Sequence, residues 1–269
     1  MKWTTEAEGA LKKVPFFVRK KVRARVQEEA LQNGKRRVTL AEVEATRKRY
    51  LTGMQSEIKG YQLESCFGPS GCPNAIPTDS DLADRIEELL VQANFLGFLE
   101  SMGIKDIKFH HEFRVTLADC PNACSQPQIK DIGIIGTRRP ALSQVACTSC
   151  EACVESCREG AITIDGSDPT PLVDMRRCVA CGHCIPVCPG GTLTVGAEGY
   201  RVQLGGKLGR HPRLARELPG IYDADTILEI VAASIDIYKA GSRRGERFGD
   251  VLGSEDMERL AARFGPRAL

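Results

Sequence analysis

The first fifty residues carry the hydrophobic spacing of helices. In the stretch VPFFVRKKVRARVQEEALQNG, residues Phe17, Val18, Val22, Val26 and Leu31 recur at roughly helical intervals, separated by basic and polar residues. This pattern predicts one amphipathic helix that buries these five side chains on one face.

Local signals predict where the N-terminal helices end and begin. Gly34 suits the position just after a helix C-terminus, and Thr39 with Glu42 forms a capping box for a second helix, LAEVEATRKRYL. We therefore predict a small helical domain over 1–53. Ten basic and two acidic residues lie between Leu11 and Arg37. Such a face is usually solvated, and nucleic-acid binding is not favoured because no aromatic residues alternate with the charges.

The C-terminal part shows helical spacing again. Ile227, Leu228, Val231, Ile235 and Tyr238 follow one another at helical intervals, which predicts a helix packed on a core. Acidic residues at its start suit a helix N-terminus. A last short helix, SEDMERLAARFG, is predicted to begin with Ser254 as its N-cap.

Composition limits the class of protein. The chain has 269 residues and a formal net charge of +2, enough length for about two domains and no charge that names a partner. The stretch MKWTTEAEGA has the acidic residues Glu6 and Glu8 and no apolar region after them, and no apolar run reaches the ~18–20 residues of a membrane span. We expect a cytoplasmic protein without a membrane partner. Its twelve cysteines are then more typical of metal ligands than of disulfides.

Eight of the cysteines form two identical runs. CTSCEACVESC and CVACGHCIPVC each have the spacing C-x2-C-x2-C-x3-C, and in two-cluster ferredoxins the fourth cysteine of each run ligates the other run's cluster. We therefore assign one [4Fe-4S] cluster to Cys147, Cys150, Cys153 and Cys188, and a second to Cys178, Cys181, Cys184 and Cys157. Two structural zinc sites are the alternative, but zinc gives no reason for a repeated three-plus-one pattern. The predicted ferredoxin module spans 141–194, with short strands in AITIDGSD and TPLVDMRR.

The other four cysteines form two pairs. Cys66 and Cys72 are separated by five residues, and Cys120 and Cys124 by three. Four thiolates provide the ligands of a third [4Fe-4S] cluster, which leaves no cysteine unused.

The spacing of these pairs resembles the cluster motif of the siroheme-dependent sulfite and nitrite reductases. The stretches DCPNACSQPQIKDIGIIG and GYRVQLGGKLGRHPRLARELPG, and GERF at Gly245–Phe248, are similar to that family as well. The resemblance covers about 58–253, and a ferredoxin module between the two blocks is typical of the dissimilatory and anaerobic subunits. It implies an α+β fold, in which a sulfite reductase-type half-domain (54–140 with 195–269) contains the inserted module and follows the helical domain. It also implies that Cys124 bridges the third cluster and the siroheme iron.

Siroheme carries eight carboxylates, so its pocket needs cations and backbone N–H donors. Gly205 and Gly206 would let the backbone approach a ligand closely. The basic residues of this stretch are Arg201, Lys207, Arg210, His211, Arg213 and Arg216. A solvated strand edge is the alternative interpretation of these charges.

The strand predicted before the second pair bears the candidate catalytic residues. If KDIKFHHEFRVTLADC is one strand, alternate side chains share a face, which places Glu112 among cations and Thr116 beyond them. An oxyanion site needs strong cations, whereas Glu112 would repel the substrate. The family resemblance implies an arginine shortly before the first cysteine pair, and this chain has Tyr61 there, with Lys59 nearby. The candidate catalytic residues are Lys108, His110, Arg114 and Lys207.

Only one copy of the half-domain is present, whereas the family builds a siroheme site from two. A homodimer or a partner subunit would then complete the site. The N-terminal segment, with Trp3, Glu6, Ala7 and VPFFVR at Val14–Arg19, resembles the small C-terminal domain of the light-independent protochlorophyllide reductase B subunit.

The sequence therefore predicts a siroheme-[4Fe-4S] oxidoreductase that reduces a small oxyanion, sulfite or nitrite, with electrons from a donor protein and in an anaerobic setting. The alternative is a three-cluster electron-transfer protein without siroheme that serves a separate reductase. Zinc-dependent nucleic-acid binding is a distant third.

Overall fold

The structure is a computed structural model that describes residues 1–56, 58–68, 71–76, 79–166 and 168–265. It divides into two compact units, Met1–Lys59 and Gly60–Leu269. The first unit therefore extends a few residues beyond position 53, where the sequence placed the end of the helical domain. Among the helices in the described ranges, none combines the length and apolar character that crossing a membrane requires.

The N-terminal unit is helical with one short pair of parallel strands. Its elements are β1 (Lys2–Trp3), α1 (Thr5–Lys12), α2 (Phe16–Gln32), β2 (Arg37–Val38) and α3 (Leu40–Ser56), and β1 pairs with β2. Its core consists of small side chains: Ala7, Val26, Ala30, Val38 and Val43.

The buried face of α2 differs from the prediction. Val22 and Val26 pack in the core as expected, but Phe17 is 74% exposed and Leu31 is 63% exposed. At 3.6 residues per turn, Phe17 lies about 180° and Leu31 about 140° around the helix from Val26. The prediction was wrong for both residues, because their spacing from Val26 departs from the helical period of 3.6 residues. Ala30 packs in the core instead.

Both predicted end signals of these helices are confirmed. Gly34 has a φ of 69°, and the N–H of Lys35 donates to the carbonyl of Ala30 at 2.9 Å, which is the hydrogen bond of a Schellman C-cap. The N–H and the hydroxyl of Thr39 both donate to the Glu42 carboxylate, at 2.8 and 2.5 Å, and the first of these bonds is one of the two that define a capping box.

The second unit is built on one mixed five-stranded sheet. Its strand order is β3-β4-β5-β8-β9, with β3, β4 and β5 parallel and β8 and β9 antiparallel to their neighbours. The elements in chain order are β3 (Tyr61–Ser65), α4 (Leu82–Gln92), α5 (Phe95–Ser101), β4 (Phe113–Ala118), β5 (Ile132–Leu142), α6 (Ala152–Ser156), β6 (Ile162–Ile164), β7 (Pro171–Val173), β8 (Leu193–Leu204), β9 (Arg216–Glu217), α7 (Ala224–Gly241), α8 (Phe248–Val251) and α9 (Ser254–Phe264).

Helices α4 and α7 cover the sheet and form its core. Ile227, Val231 and Tyr238 of α7 are all buried, which confirms the predicted core face of this helix. The rings of Phe95 and Phe113 stack with centroids 5.0 Å apart. The C-terminal helix begins at Ser254 with Gly253 as N-cap, so the predicted cap was wrong by one residue.

The segment that carries the two cysteine runs lies between adjacent antiparallel strands. β5 ends at Leu142, which pairs with Leu193 at the start of β8. The segment 143–192 is therefore an insertion between two strands that are hydrogen-bonded to each other. Within it β6 and β7 pair antiparallel, where the sequence predicted two short strands. Three equivalent positions of the two runs share a positive φ, namely Ser149 and Ala180 (52° and 57°), Glu151 and Gly182 (57° and 72°), and Gly160 and Gly191 (55° and 73°). The two runs therefore repeat one backbone conformation.

Candidate cluster and cofactor site

The thiol of Cys153 in the first run lies near Cys147 of the same run and near Cys188 of the second run. Burial raises the pKa of Cys153, and the charges of Cys188 and Cys147 raise it further. Cys188 belongs to the second run, so the fourth cysteine lies beside the first run, as the two-cluster arrangement requires. Backbone N–H donors, first that of Leu193, lower the pKa of Cys188, because they stabilise the thiolate.

The second run shows the reciprocal arrangement. Burial raises the pKa of Cys184 to about 12, with further contributions from Cys181, Cys178 and Cys157. Cys157 belongs to the first run, and its sulfur accepts the N–H of Ala161 at 3.3 Å. A bound cluster would lower the pKa values of these thiols, because metal-bound thiols are deprotonated.

The third group of thiols lies at the carboxyl ends of two parallel strands. Cys66 directly follows β3, and Cys120 comes just after β4. Burial raises the pKa of Cys120, and the charges of Cys66, Cys124 and Cys72 raise it further. All four thiols are therefore close enough to affect one another electrostatically.

Hydrogen bonds orient two sulfurs of this third group. The N–H groups of Asp119 and Gly68 donate to Cys66 Sγ at 3.2 and 3.3 Å, and Asn122 Nδ2 donates to Cys124 Sγ at 3.0 Å. Cys120 is buried, whereas Cys124 is exposed. The thiol that the family resemblance assigns to the bridge is thus the accessible one.

The zinc alternative requires thiolates about 2.3 Å from a single ion. In the described ranges no three Cys, His, Asp or Glu side chains converge on such a point. A four-iron cluster is larger than one ion and holds its four thiolates farther apart than a zinc ion does.

Two cations proposed for siroheme already have partners within the chain. Arg201 makes a two-pronged ion pair with Glu217, at 2.8 and 2.9 Å, and donates to the carbonyl of Val179 at 3.0 Å. Lys207 pairs with Asp250. Both cations are therefore held by carboxylates of the protein itself.

Three of the remaining four basic residues lie on an exposed hairpin. The backbones of Lys207 and Arg213 exchange two hydrogen bonds of 2.9 Å, which closes the turn between them. Arg210, His211 and Arg213 are exposed there. Arg216 instead donates to the carbonyls of Leu252 and Gly253, each at 3.0 Å.

Gly206 packs against the chain itself. A Cβ at Gly206 would lie 2.5 Å from the carbonyl oxygen of Gln128 and 2.8 Å from that of Lys130. Gly205 has a φ of 77°, which favours glycine. The close approach expected at Gly206 is thus an approach to the protein's own backbone.

We expect Gly206→Ala to destabilise the sheet unit by about 1–3 kcal/mol, because the added methyl must push two backbone carbonyls away. The midpoint of anaerobic thermal unfolding should fall. Gly166→Ala is the control, since a Cβ there meets nothing within 4 Å. Equal midpoints for both variants would contradict the packing.

The segment that holds the candidate catalytic residues is not one strand. Phe109–His111 form a 3-10 turn, and β4 begins only at Phe113. Lys108 and His110 are exposed, Lys108 pairs with Asp106 at 2.8 Å, and the His111 ring accepts the Lys108 N–H at 3.0 Å. The predicted common face of positions 108–116 was wrong because this turn interrupts the alternation.

Glu112 and Arg114 both have partners within the chain. Gln62 Nε2 donates to the Glu112 carboxylate at 2.6 Å, and Glu112 is 1% exposed. Arg114 Nη2 donates to the carbonyl of Phe109 at 3.1 Å. The hydroxyl of Tyr61 donates to Glu87 at 3.1 Å, and the Tyr61 ring packs in the core of the sheet.

Four charged residues of this region, which form two ion pairs, were not predicted. Lys130 is almost buried and pairs with Glu64 at 2.5 Å. Asp131 is completely buried and accepts Arg247 Nη2 at 2.6 Å and the Arg114 N–H at 2.8 Å. The sequence signal was the Lys-Asp pair directly before the apolar strand IGIIG, a position where charges are seldom buried without partners.

Known proteins match both units. Residues 61–268 match the family described as nitrite and sulphite reductase 4Fe-4S domain, and the chain belongs to this family. Residues 3–47 match the model described as proto-chlorophyllide reductase 57 kD subunit. The resemblances drawn from the sequence are therefore confirmed.

Individual relatives cover parts of the chain. A coenzyme F420-dependent sulfite reductase of Methanocaldococcus jannaschii is 34% identical over 215 residues, which are 80% of this chain and 30% of that protein. The B subunit of the light-independent protochlorophyllide reductase of Chlorobium luteolum is 60% identical over 40 residues, 15% of this chain and 8% of that one.

The fold has a counterpart among solved structures. The crystal structure of dissimilatory sulfite reductase I superposes with a TM-score of 0.51 at 19% identity, over 77% of this chain and 52% of that one. This likeness concerns the fold alone.

Proposed function

We propose that this protein is a siroheme- and [4Fe-4S]-dependent oxidoreductase of the sulfite and nitrite reductase class. It would reduce a small oxyanion with several electrons, delivered through the ferredoxin module. The observation that carries the proposal is the third thiol group. Its buried Cys120 lies near Cys66, Cys72 and the exposed Cys124, at the carboxyl edge of parallel strands.

The three thiol groups have the chemistry that three [4Fe-4S] clusters need. Each has four cysteines, at least one of them buried, and an N–H group donates to a sulfur in all three groups: Ser149 to Cys147, Ala161 to Cys157 and Asp119 to Cys66. Such hydrogen bonds stabilise the thiolate and help to set the reduction potential of a cluster.

Fewer of the candidate cations are available to bind siroheme than the sequence suggested. The exposed Arg210, His211 and Arg213 would meet its carboxylates, whereas Arg201 and Lys207 would first have to leave Glu217 and Asp250. When bound next to Cys124, siroheme would supply the iron at which the oxyanion is reduced.

A homodimer or a partner subunit would complete the siroheme site, because this chain has one half-domain. The chain spans 30% of the length of the F420-dependent relative. The substrate site would then include cations from the second copy or the partner.

The alternative, a three-cluster electron-transfer protein, has specific support. Glu112, which lies among the candidate catalytic cations in the sequence, accepts a hydrogen bond from Gln62, and the hydroxyl of Tyr61 donates to Glu87. These residues favour a silent or altered substrate site.

The first measurement is the absorption spectrum of anaerobically purified protein from a host that makes siroheme, with iron counted on the same sample. We expect sharp tetrapyrrole bands above the broad iron–sulfur background, and about thirteen irons per chain, four for each cluster and one for siroheme. A featureless brown spectrum with about twelve irons would overturn the reductase and favour the alternative. Zinc with little iron would overturn both.

A further inference from the structure

The two cysteine runs have one backbone conformation but different surroundings. In the first run Ser149, Cys150 and Glu151 are exposed. At the equivalent positions of the second run Ala180 is 6% exposed, Gly182 is buried and Cys181 is partly buried. The repeat therefore presents one loop to solvent and covers the other.

The sheet covers the second loop and fastens its backbone. The hydroxyl of Thr137 and the N–H of Arg138 both donate to the carbonyl of Ala180, at 3.1 and 2.8 Å. Arg201, held by Glu217, donates to the carbonyl of Val179 at 3.0 Å. Two consecutive peptide groups between Cys178 and Cys181 are thus bonded to strands β5 and β8.

The same strand β5 touches the third thiol group one residue earlier. A Cβ at Gly136 would lie 2.8 Å from the carbonyl oxygen of Asp119, so the two backbones are in direct contact. The N–H of Asp119 in turn donates to Cys66 Sγ at 3.2 Å. A continuous chain of contacts therefore leads from Ala180 through Thr137, Gly136 and Asp119 to Cys66.

We propose that the ferredoxin module is used in one direction: electrons enter at the exposed loop of the first run and leave through the second run, along Ala180, Thr137, Gly136 and Asp119 to Cys66. The inference rests on the proposed function and assigns a direction to its electron delivery. Clusters held by these cysteines would supply the one-electron redox couples, so that one electron leaves a reduced cluster as the next is reduced, and no bond would form or break. The external source is a one-electron donor protein that meets the first run.

Thr137 and Arg201 are positioning residues in this route. They touch the backbone of the second loop and hold it against β5 and β8, and a short, rigid path through bonded atoms favours electron transfer. A hydroxyl contact of the same kind lies just beyond the C-terminal end of β5, where Ser143 donates to the carbonyl of Gly191 at 2.8 Å. That contact leads to the exposed end of β5 and away from Cys66.

The test compares Thr137→Val with Ser143→Ala in the full-length, cluster-loaded protein. Thr137→Val keeps the shape of the side chain, and the Arg138 N–H still satisfies the Ala180 carbonyl, so the variant should fold. Both variants are mixed rapidly with a one-electron reductant and freeze-quenched, and the reduction of each cluster is followed by electron paramagnetic resonance. The Cys120→Ala variant is expected to lack the third cluster, so the resonance that is missing from its spectrum identifies that cluster.

We expect Thr137→Val to slow the reduction of the third cluster severalfold while the module is reduced at its normal rate. Ser143→Ala should match the unchanged protein in both. Equal slowing in the two variants, or none in Thr137→Val, would overturn the route. A protein with no third cluster signal at all contradicts the proposed function instead, so the two failures are distinguishable.

A second measurement tests the direction of entry. A soluble dysprosium chelate broadens the resonance of clusters near the surface, and we expect it to affect one of the two module clusters strongly. Cys150→Ser should alter the affected signal, and Cys181→Ser the protected one. If the chelate reaches the cluster altered by Cys181→Ser, the assignment of entry to the first run is wrong.

Discussion

Replacing Cys120 with alanine is expected to remove the third cluster and, with it, any tetrapyrrole absorption. Cys120 is buried beside Cys66, Cys72 and Cys124, so the substitution leaves three thiolates for a cluster that needs four ligands. Iron should fall by about four of about twelve atoms in the clusters. The resonances of the two module clusters should persist, because their cysteines lie in a separate segment.

Ser125→Ala is the matched control for this variant. Its hydroxyl donates to the carbonyl of Leu117 at 2.7 Å in the same loop, but it is not a proposed ligand, so full iron content is expected. Iron counts and resonance spectra on anaerobic samples decide the outcome. A Cys120→Ala protein that keeps all its iron would mean that Cys66, Cys72, Cys120 and Cys124 do not share a cluster.

Arg247→Ala is expected to be the most destabilising substitution outside the cysteines. Its partner Asp131 is completely buried, and removing Arg247 leaves a carboxylate that keeps the backbone N–H of Arg114 as its hydrogen-bond donor. Breaking a buried ion pair in this way costs about 3–5 kcal/mol. For a unit of this size that loss lowers the midpoint of thermal unfolding by about 10 °C.

The surface pair between Arg263 and Glu229 provides the control. Both side chains are more than half exposed, so Arg263→Ala should cost less than about 1 kcal/mol. Since cluster proteins need not unfold in two states, the comparison uses anaerobic unfolding midpoints of the variants under identical conditions. A midpoint of Arg247→Ala equal to that of Arg263→Ala would show that Asp131 is not buried as a charge.

The pH dependence gives a further check on Arg247→Ala. Burial raises the pKa of Asp131 above its ordinary value, against the lowering effect of Arg247. Without Arg247 this pKa rises further, so the folded protein takes up a proton more readily than the unfolded chain. A carboxyl with a raised pKa destabilises the folded state above that pKa and less as pH falls. The deficit of the variant should therefore shrink toward acidic pH.

Features that depend on short spacing could be predicted from the sequence. The cysteine runs, the capping box at Thr39 and the C-cap at Gly34 were readable because each is made by residues a few positions apart. The apolar stripe of α7 was readable for the same reason, since helical geometry fixes which neighbours share a face. Similarity to the reductase family followed from motifs of this local kind.

Which charges are available for chemistry depends on contacts between distant segments and could not be predicted from the sequence. Arg201 and Lys207 look free in the sequence, but Glu217 and Asp250 reach them through strand pairing and the packing of α8. Asp131 and Arg247 are 116 positions apart, and no local pattern joins them. The contrast between the exposed first run and the covered second run likewise depends on β5 and β8. Ligand spacing is set by the covalent chain, whereas ion pairs and burial are set by which distant segments pack together.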